Sequence, residues 1–190
     1  MSRWQPNARD RLKQAALELF VEVGFAEATV PQITARAGLT TRTFFRHFAD
    51  KREVLFAGEE ELPARVAKLM ADAPADLDPM AVIVEGLNTV ADTLFAGGRD
   101  FMRTRRAVIQ SDEGLREREL RKLSTLSDAI RQGFVDRGVD ELTATLSAQV
   151  AVTIFSVGIG RWLDQDGDLP LTHFVRDTLD ALRSVTAGRP

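Results

Sequence analysis

The sequence predicts an all-α protein, with an N-terminal three-helix domain followed by a larger helical domain. Three observations predict this fold class. Apolar residues recur at the i, i+3, i+4 spacing of a helix, capping residues stand before those stretches, and no stretch alternates in the manner of a half-buried strand. The chain has 190 residues, of which 44% are hydrophobic, so it can bury a sizeable core.

The first predicted helix begins near Asn7 and carries an apolar stripe from Leu12 to Val23. Asn7 is a favoured helix cap, and the stripe follows the spacing of one helix face. Gly24 ends the helix, because glycine readily adopts the left-handed conformation found after a last turn.

Residues 29–48 predict two short helices joined by a tight turn. Thr29 and Gln32 form a Thr-x-x-Gln capping box, Gly38 supplies the left-handed residue of the turn, and Thr40 caps the second helix. The outer face of that second helix carries hydrogen-bond donors and no acid: Thr41, Arg42, Thr43, Arg46 and His47. Together these parts form a helix-turn-helix, whose second helix enters the DNA major groove.

The rest of the chain predicts six further helices. Their approximate bounds are 50–70, 78–97, 99–109, 112–136, 141–163 and 171–185. Asp50 caps the first of these, and Pro63 is predicted to kink it. The helix 141–163 has no clear polar face, which predicts burial on more than one side. We therefore predict a domain at residues 1–50 and a second at residues 51–190.

The charge distribution favours nucleic acid at one end of the molecule. The net charge is −3, yet residues 1–52 hold nine basic residues against five acidic ones, while the remainder holds 16 against 23. A basic head on an acidic body is expected when only one end meets phosphate. No apolar run reaches the ~18 residues that span a bilayer, no signal peptide is present, and cysteine is absent, so we expect a cytoplasmic protein without a membrane partner.

Several motifs occur together in the first ~50 positions: Gly24-Phe25, Thr29-Val30, Ala37-Gly38-Leu39-Thr40, Phe45-Arg46-His47-Phe48 and Lys51. In this spacing they resemble the TetR family of bacterial transcriptional regulators. The resemblance implies a homodimeric repressor that a small-molecule effector releases from a palindromic operator, without a cofactor. The C-terminal region resembles the branch of the family that senses acyl thioesters. Phe45 stands where the family usually has Tyr, which removes a phosphate contact, and Thr34 stands where it usually has a small Ala.

The predicted DNA-binding residues lie on both short helices and at the start of the next. They are Thr29, Gln32, Thr40, Thr41, Arg42, Thr43, Phe45, Arg46, His47 and Lys51. Thr41, Arg42 and Thr43 are predicted to contact base edges, because residues at the N-terminus of a recognition helix point into the groove and Arg pairs well with guanine. Arg46, His47 and Lys51 are predicted to contact phosphates. The alternative for this surface is an ordinary solvated face.

Two further sites are predicted in the second domain. The effector pocket is predicted to include Phe95, Phe101, Met102, Arg105, Phe155 and Trp162. Arg105 would place one positive charge there; alternatively its stem packs while its head reaches water or an acid. The dimer interface is predicted to include Ala148, Val152, Phe155, Ile159, Phe174, Thr178 and Leu182, which two copies would bury as a four-helix bundle. The helix 50–70 would relay effector binding.

Two other classes of function stay open at this point. One is a constitutive DNA-binding protein without a small ligand. The other is a small helical enzyme, for which the sequence offers little: His47 and His173 lie far apart, and Gly158-x-Gly160 lies inside a helical stretch. We predict no catalytic residue, metal site or cofactor.

Overall fold

A computed structural model describes residues 7–94 and 98–188, and all regular structure in these residues is helical. The α-helices are α1 (Ala8–Val23), α2 (Val30–Arg36), α3 (Thr41–His47), α4 (Glu53–Phe56), α5 (Leu62–Asp72), α6 (Pro79–Leu94), α7 (Arg99–Gln110), α8 (Glu113–Asp136), α9 (Glu141–Asp164) and α10 (Leu171–Thr186). A 3₁₀ turn, Glu59–Glu61, lies between α4 and α5. The predicted all-α fold class is confirmed.

Side chains cap the starts of α1 and α6, whereas α4 begins after Arg52 without a side-chain cap. The Asn7 side-chain oxygen accepts a hydrogen bond from the Asp10 amide at 2.9 Å. The Asp78 carboxylate accepts one from the Ala81 amide, also at 2.9 Å. These bonds satisfy amide donors that the first helical turn leaves without a backbone partner.

The prediction of one helix from Asp50 to Met70 is wrong, because the structure breaks it into two. α4 ends at Phe56, and Gly58 has a φ of +97°, which side chains with a Cβ rarely adopt. Pro63 lies in the first turn of α5, where its missing N–H removes no helical hydrogen bond. Pro63 therefore begins a new helix, and the continuous helix proposed as a relay does not exist.

Residue contacts divide the chain into two compact units that do not follow sequence order. The first unit comprises the described residues up to Glu60 together with Arg103–Glu119, and the second comprises Glu61–Met102 and the residues from Leu120 onward. The predicted domain boundary at residue 50 stays a prediction. The first unit extends past it because apolar residues of α4, α7 and α8 share one core with α1 to α3.

The core of the first unit fixes the two short helices. Its most deeply buried members include Leu12, Phe20, Ile33, Phe44 and Phe56. Thr34 is also buried, at 3% exposure, and its hydroxyl donates to the Pro31 carbonyl at 3.0 Å. The larger residue at this position therefore leaves no unpaired hydroxyl donor in the core.

Helix α9 lies at the centre of the second unit, in contact with α6 and α10. A Cβ built on Gly158 would lie 3.4 Å from the backbone nitrogen of Val175, so α9 and α10 approach closely. By length and composition α9 could cross a membrane, with a mean hydropathy of 1.7 over its most apolar window, of which 33% is buried in the protein. The expectation that no apolar run has this length is therefore wrong.

Candidate nucleic-acid interface and ligand cavity

The outer face of α3 presents two exposed guanidinium groups. Arg42 and Arg46 are exposed, and neither has a hydrogen-bond or ion-pair partner among the described residues. Thr41 is exposed beside them. A guanidinium carries five N–H donors in a planar fork, which matches both a phosphate and the acceptor edge of guanine.

The start of α3 is fixed by a side-chain cap and by two buried rings. The Thr40 hydroxyl oxygen accepts from the Thr43 amide at 3.2 Å and lies 3.1 Å from the Thr43 hydroxyl. Phe44 is 0% exposed and Phe48 is 3% exposed, and their ring centroids lie 5.5 Å apart. The predicted cap is confirmed, and the buried rings hold the outer face of this seven-residue helix in one orientation.

Thr29 and Gln32 form the predicted capping box at the start of α2. The Thr29 amide donates to Gln32 Oε1 at 2.9 Å, the Gln32 amide lies 3.5 Å from Thr29 Oγ1, and the Thr29 hydroxyl donates to Gln32 Oε1 at 2.7 Å. Gln32 is exposed, and its side-chain NH₂ has no partner in the part of the chain that the structure describes. This amide group is therefore free to donate outward.

The turn between α2 and α3 is braced by a residue from α1. Gly38 has a φ of +62°, and Arg11 donates to the carbonyls of Ala37 and Gly38. A Cβ built on Gly38 would lie 3.0 Å from Arg11 Nη2, so the glycine is needed both for its conformation and for this close approach. Sequence patterns do not indicate the Arg11 contact, because it joins residues that are 26 and 27 positions apart.

A bidentate ion pair joins α1 to the end of α2. Arg36 donates two hydrogen bonds to the Glu22 carboxylate, one of them at 2.7 Å. The hydrogen bond from Arg36 lowers the pKa of Glu22 below its ordinary value. The Arg36 guanidinium is thus occupied in holding α2 against α1. The guanidiniums of Arg42 and Arg46 have no such role among the described residues.

Lys51 contacts backbone carbonyls and is not free to bind phosphate. Its ammonium donates to the carbonyls of Phe25 at 2.7 Å, Ala26 at 2.9 Å and Ala28 at 2.8 Å. It also lies 4.7 Å from the centroid of the Phe25 ring. Because an ammonium has three donors, none remains for DNA. We therefore replace the predicted phosphate contact of Lys51 with a structural role in holding the turn before α2.

Two other predicted contacts depend on side-chain orientation. Phe45 is 60% exposed, and its ring meets the Phe44 ring edge-on. The Phe45 ring is therefore at the surface, but it has no hydrogen-bond donor for a phosphate. His47 is half-buried, and its Nε2 atom is buried without a partner among the described residues. This nitrogen is therefore not available to a phosphate.

The second unit contains a cavity of about 430 Å³ between α5, α6, α8 and α9. Its apolar lining consists of Leu62, Val66, Leu69, Leu87, Val90, Leu123, Leu126, Ile130, Ala151, Val152 and Phe155. Its polar lining consists of Arg65, Lys68, Asp72, Thr89 and Lys122. The volume falls in the range of small-molecule sites.

Most residues predicted for the pocket lie elsewhere. Phe155 lines the cavity, but Phe101 is 39% exposed. Trp162 is buried at 5% exposure, and the Arg99 guanidinium lies 4.9 Å from the centroid of its ring. Phe95 lies outside the described residues. Periodicity could have indicated the true wall, because Leu62, Val66 and Leu69 occupy one face of α5.

Met102 and Arg105 also lie away from the cavity. Met102 packs against the core of the second unit. Arg105 belongs to the first unit, where Nε donates to the Leu55 carbonyl at 2.7 Å and Nη2 to the Glu119 carboxylate at 3.1 Å. Its guanidinium lies 5.3 Å from the centroid of the Phe56 ring. The alternative of a packed stem with its head on an acid is therefore confirmed, and the pocket role is wrong.

Three of the seven residues predicted for a dimer interface are buried in the core of the second unit, and the other four are partly buried. The seven divide into core residues (Ala148, Phe174 and Thr178), cavity-lining residues (Val152 and Phe155) and residues packed against the core (Ile159 and Leu182). The core residues are 1%, 3% and 7% exposed, so a partner could bury almost no further area there. The prediction that Ala148, Phe174 and Thr178 belong to the dimer interface is therefore wrong, because they lie in the core.

A different face of α9 is apolar and exposed. Leu142 is 70% exposed, Leu146 is 57% exposed and Val157 is 46% exposed. The exposed polar residue Gln149 lies on the same side of the helix, at i+7. Leu142, Leu146, Thr153 and Val157 stand at i, i+4, i+11 and i+15 along this side. We call these four residues the α9 stripe.

The first unit contains a capped helix-turn-helix whose second helix exposes two guanidiniums. This arrangement is typical of helix-turn-helix DNA-binding proteins. The sequence pattern described as "Bacterial regulatory proteins, tetR family" matches residues 12–57. The matched residues contain the helix-turn-helix, so this part of the chain is similar to the DNA-binding region of the TetR family.

Several known proteins are similar to this chain. An uncharacterised HTH-type transcriptional regulator of Mycobacterium tuberculosis is 38% identical over 87 residues, which cover 40% of this chain and 45% of that relative. The chain thus spans less than half the length of this relative. The HTH-type transcriptional regulator TcmR of Streptomyces glaucescens is 27% identical over 188 residues, 92% of this chain and 82% of TcmR. Thermus thermophilus FadR, a transcriptional repressor solved in complex with lauroyl-CoA, has 21% identity and a TM-score of 0.56 over 93% of each chain.

Proposed function

We propose that this protein is a ligand-responsive transcriptional repressor that binds a duplex operator through α3. The observation that carries the proposal is the exposure of the Arg42 and Arg46 guanidiniums, neither of which has a partner in residues 7–94 and 98–188. The regulator names of the relatives, and the description of FadR as a repressor, support it. A cytoplasmic location fits this function.

The two arginines take different roles in the proposal. Arg42 stands near the N-terminus of α3 and reads a base edge, where a bidentate pair with guanine gives specificity. Arg46 stands one turn later and binds phosphate, which positions the protein without reading sequence. The free side-chain NH₂ of Gln32, at the start of α2, supplies a further phosphate donor.

The cavity in the second unit supports a small-molecule effector. A ligand releases the operator only if it binds the DNA-free conformation more tightly than the DNA-bound one. The lauroyl-CoA of FadR is a ligand of that protein, and the acyl-thioester class stays a prediction for this chain.

A second copy of the chain is the partner that fits the α9 stripe. Leu142, Leu146 and Val157 expose apolar area that an isologous contact would cover on both copies at once. One short helix-turn-helix makes few base contacts, so tight binding needs two half-sites. We therefore propose a homodimer on a roughly palindromic operator.

Selection from a random duplex library, followed by binding titrations, tests the DNA-binding part. Arg42→Ala should weaken operator binding by about 1–3 kcal/mol and relax preference at one base pair. Arg46→Ala should weaken binding evenly across sequences and reduce its salt dependence. Arg183→Ala is the control, because it removes the same charge from an exposed guanidinium of α10, in the second unit. Unchanged base preference in Arg42→Ala, or no selected sequence at all, would refute the assignment.

Sedimentation tests the dimer. Leu146→Glu combined with Val157→Glu should give a folded monomer with much weaker operator binding, because like charges would face each other across the contact. The control is Leu120→Glu, at a residue of α8 that is 67% exposed and outside the stripe. A stripe variant that stayed dimeric would exclude this face as the interface.

A further inference from the structure

The interior of the cavity offers a ligand mainly aliphatic surface. Eleven of the sixteen lining residues that the structure describes are apolar, and Phe155 is the one aromatic residue among these. Leu69 of α5 and Leu126 of α8 are typical of the rest. An apolar ligand gains free energy on such a surface by leaving water.

The two cations of α5 that line the cavity each form an ion pair with a nearby carboxylate. Arg65 Nη2 lies 2.6 Å from Glu61 Oε2, and Lys68 Nζ lies 2.9 Å from Asp72 Oδ2. The side chains of Arg65 and Lys68 are 49% and 77% exposed. These cations therefore lie in a solvated, high-dielectric setting, where they attract an opposite charge only weakly.

The other two polar lining residues also have partners. The Thr89 hydroxyl donates to the Glu85 carbonyl of its own helix at 2.9 Å. Lys122 is half-buried and already engaged in an interaction. A charged group of a ligand would therefore lose water inside the cavity without gaining a free partner, which is strongly unfavourable.

We infer that this cavity takes a neutral, largely apolar molecule and discriminates against its ionised analogues. The inference rests on the proposed function, because it names the chemical class of the effector. It differs from the acyl-thioester class that the sequence resemblance implies. A coenzyme thioester carries phosphate charges, and none of the cations among the described lining residues is unpaired.

Two fluorescent probes that differ by one charge test the inference on the full-length protein. N-phenyl-1-naphthylamine is neutral, and 8-anilino-1-naphthalenesulfonate is the same ring system with a sulfonate. We expect the neutral probe to bind at least about tenfold more tightly, because the sulfonate must be desolvated. Direct titration of each probe gives the two dissociation constants.

A pair of variants on α8 assigns the binding to the cavity. Leu123→Trp places bulk into the cavity and should weaken binding of the neutral probe at least about fivefold, because close-packed surroundings leave no room for both. Leu120→Trp is the control on the same helix, at a position that is 67% exposed. Val152→Trp, from α9, provides a second cavity variant should the first fail to fold, and circular dichroism checks each one.

Tighter binding of the sulfonate would overturn the inference, as would a neutral probe whose binding no cavity variant weakens. Neither result depends on DNA. A protein that binds its selected operator but prefers the anionic probe would refute the neutral effector and leave the proposed repressor intact. A protein without a specific operator would refute the repressor, while the probe titrations would still measure the charge preference of the cavity.

Discussion

Replacing Gly133 by Ala tests how closely α8 packs against the end of α5. A Cβ built on Gly133 would lie 2.6 Å from Met70 Cγ and 3.0 Å from Met70 Cβ. Non-bonded carbons prefer about 3.5–4.0 Å, so the methyl group requires a shift. Met70 has little room to move, because it is 7% exposed and its carbonyl accepts a hydrogen bond from Arg137 at 2.9 Å.

Two opposing terms set the size of the effect. Ala is favoured over Gly in a helix interior by about 1 kcal/mol, and overpacking of a close-packed core costs about 1–3 kcal/mol. Gly133→Ala should therefore lower the free energy of unfolding by about 0–2 kcal/mol. Gly86→Ala, within α6, is the matched control, because a Cβ there would meet nothing within 4 Å. It should raise the free energy of unfolding by about 1 kcal/mol.

Urea unfolding followed by circular dichroism measures both variants. The difference between them removes the propensity term and should be about 1–3 kcal/mol, which corresponds to about 2–4 °C in melting temperature for each kcal/mol. If Gly133→Ala were as stable as Gly86→Ala, the close approach of Met70 to α8 would be refuted.

Three further predictions concern the first unit. Lys51→Met removes the ammonium from three carbonyls and should lower the free energy of unfolding by about 1–3 kcal/mol in urea; unchanged stability would contradict its structural role. Phe45→Tyr adds a donor to a ring that is 60% exposed and should tighten binding to all duplexes by about 0.5–1.5 kcal/mol, whereas unchanged titrations would show that this ring does not meet DNA. The Arg36 hydrogen bond lowers the pKa of Glu22 below its ordinary value of 4.5, so the ion pair stabilises the fold above pH 4.5 and loses this effect as the pH falls through the lowered pKa. Glu22→Gln should make the free energy of unfolding depend less on pH in this acid range. An unchanged dependence would argue against the pair.

The helix-turn-helix could be predicted from sequence because its determinants are local. The capping box joins Thr29 to Gln32, the next cap joins Thr40 to Thr43, and Gly38 is needed for its own backbone conformation. Each contact spans at most three residues, so residue type and spacing specify it. The predicted exposure of Arg42 follows equally from one helical period.

The errors concern contacts between residues distant in the sequence. Lys51 and Arg105 are both cations near apolar residues. The sequence predicts a phosphate contact for Lys51 and a place in the effector pocket for Arg105. In the structure Lys51 donates to carbonyls 23 to 26 residues away, and Arg105 to a carbonyl 50 residues away. Backbone acceptors are present at every residue, so composition carries no signal of which carbonyl a cation will meet.

The cavity could not be located from sequence for a related reason. The apolar spacing of Leu62, Val66 and Leu69 predicts that this face of α5 turns away from water, but a face packed against a neighbour and a face lining a void have the same pattern. Which of the two arises depends on how well several helices fill the space between them. Phe155 lines the cavity, whereas Trp162, seven residues further along α9, is buried in the core at 5% exposure. A pocket search guided by aromatic residues and unpaired charge therefore misses a cavity whose wall is aliphatic and whose charges are paired, and these two properties are the ones that favour a neutral ligand.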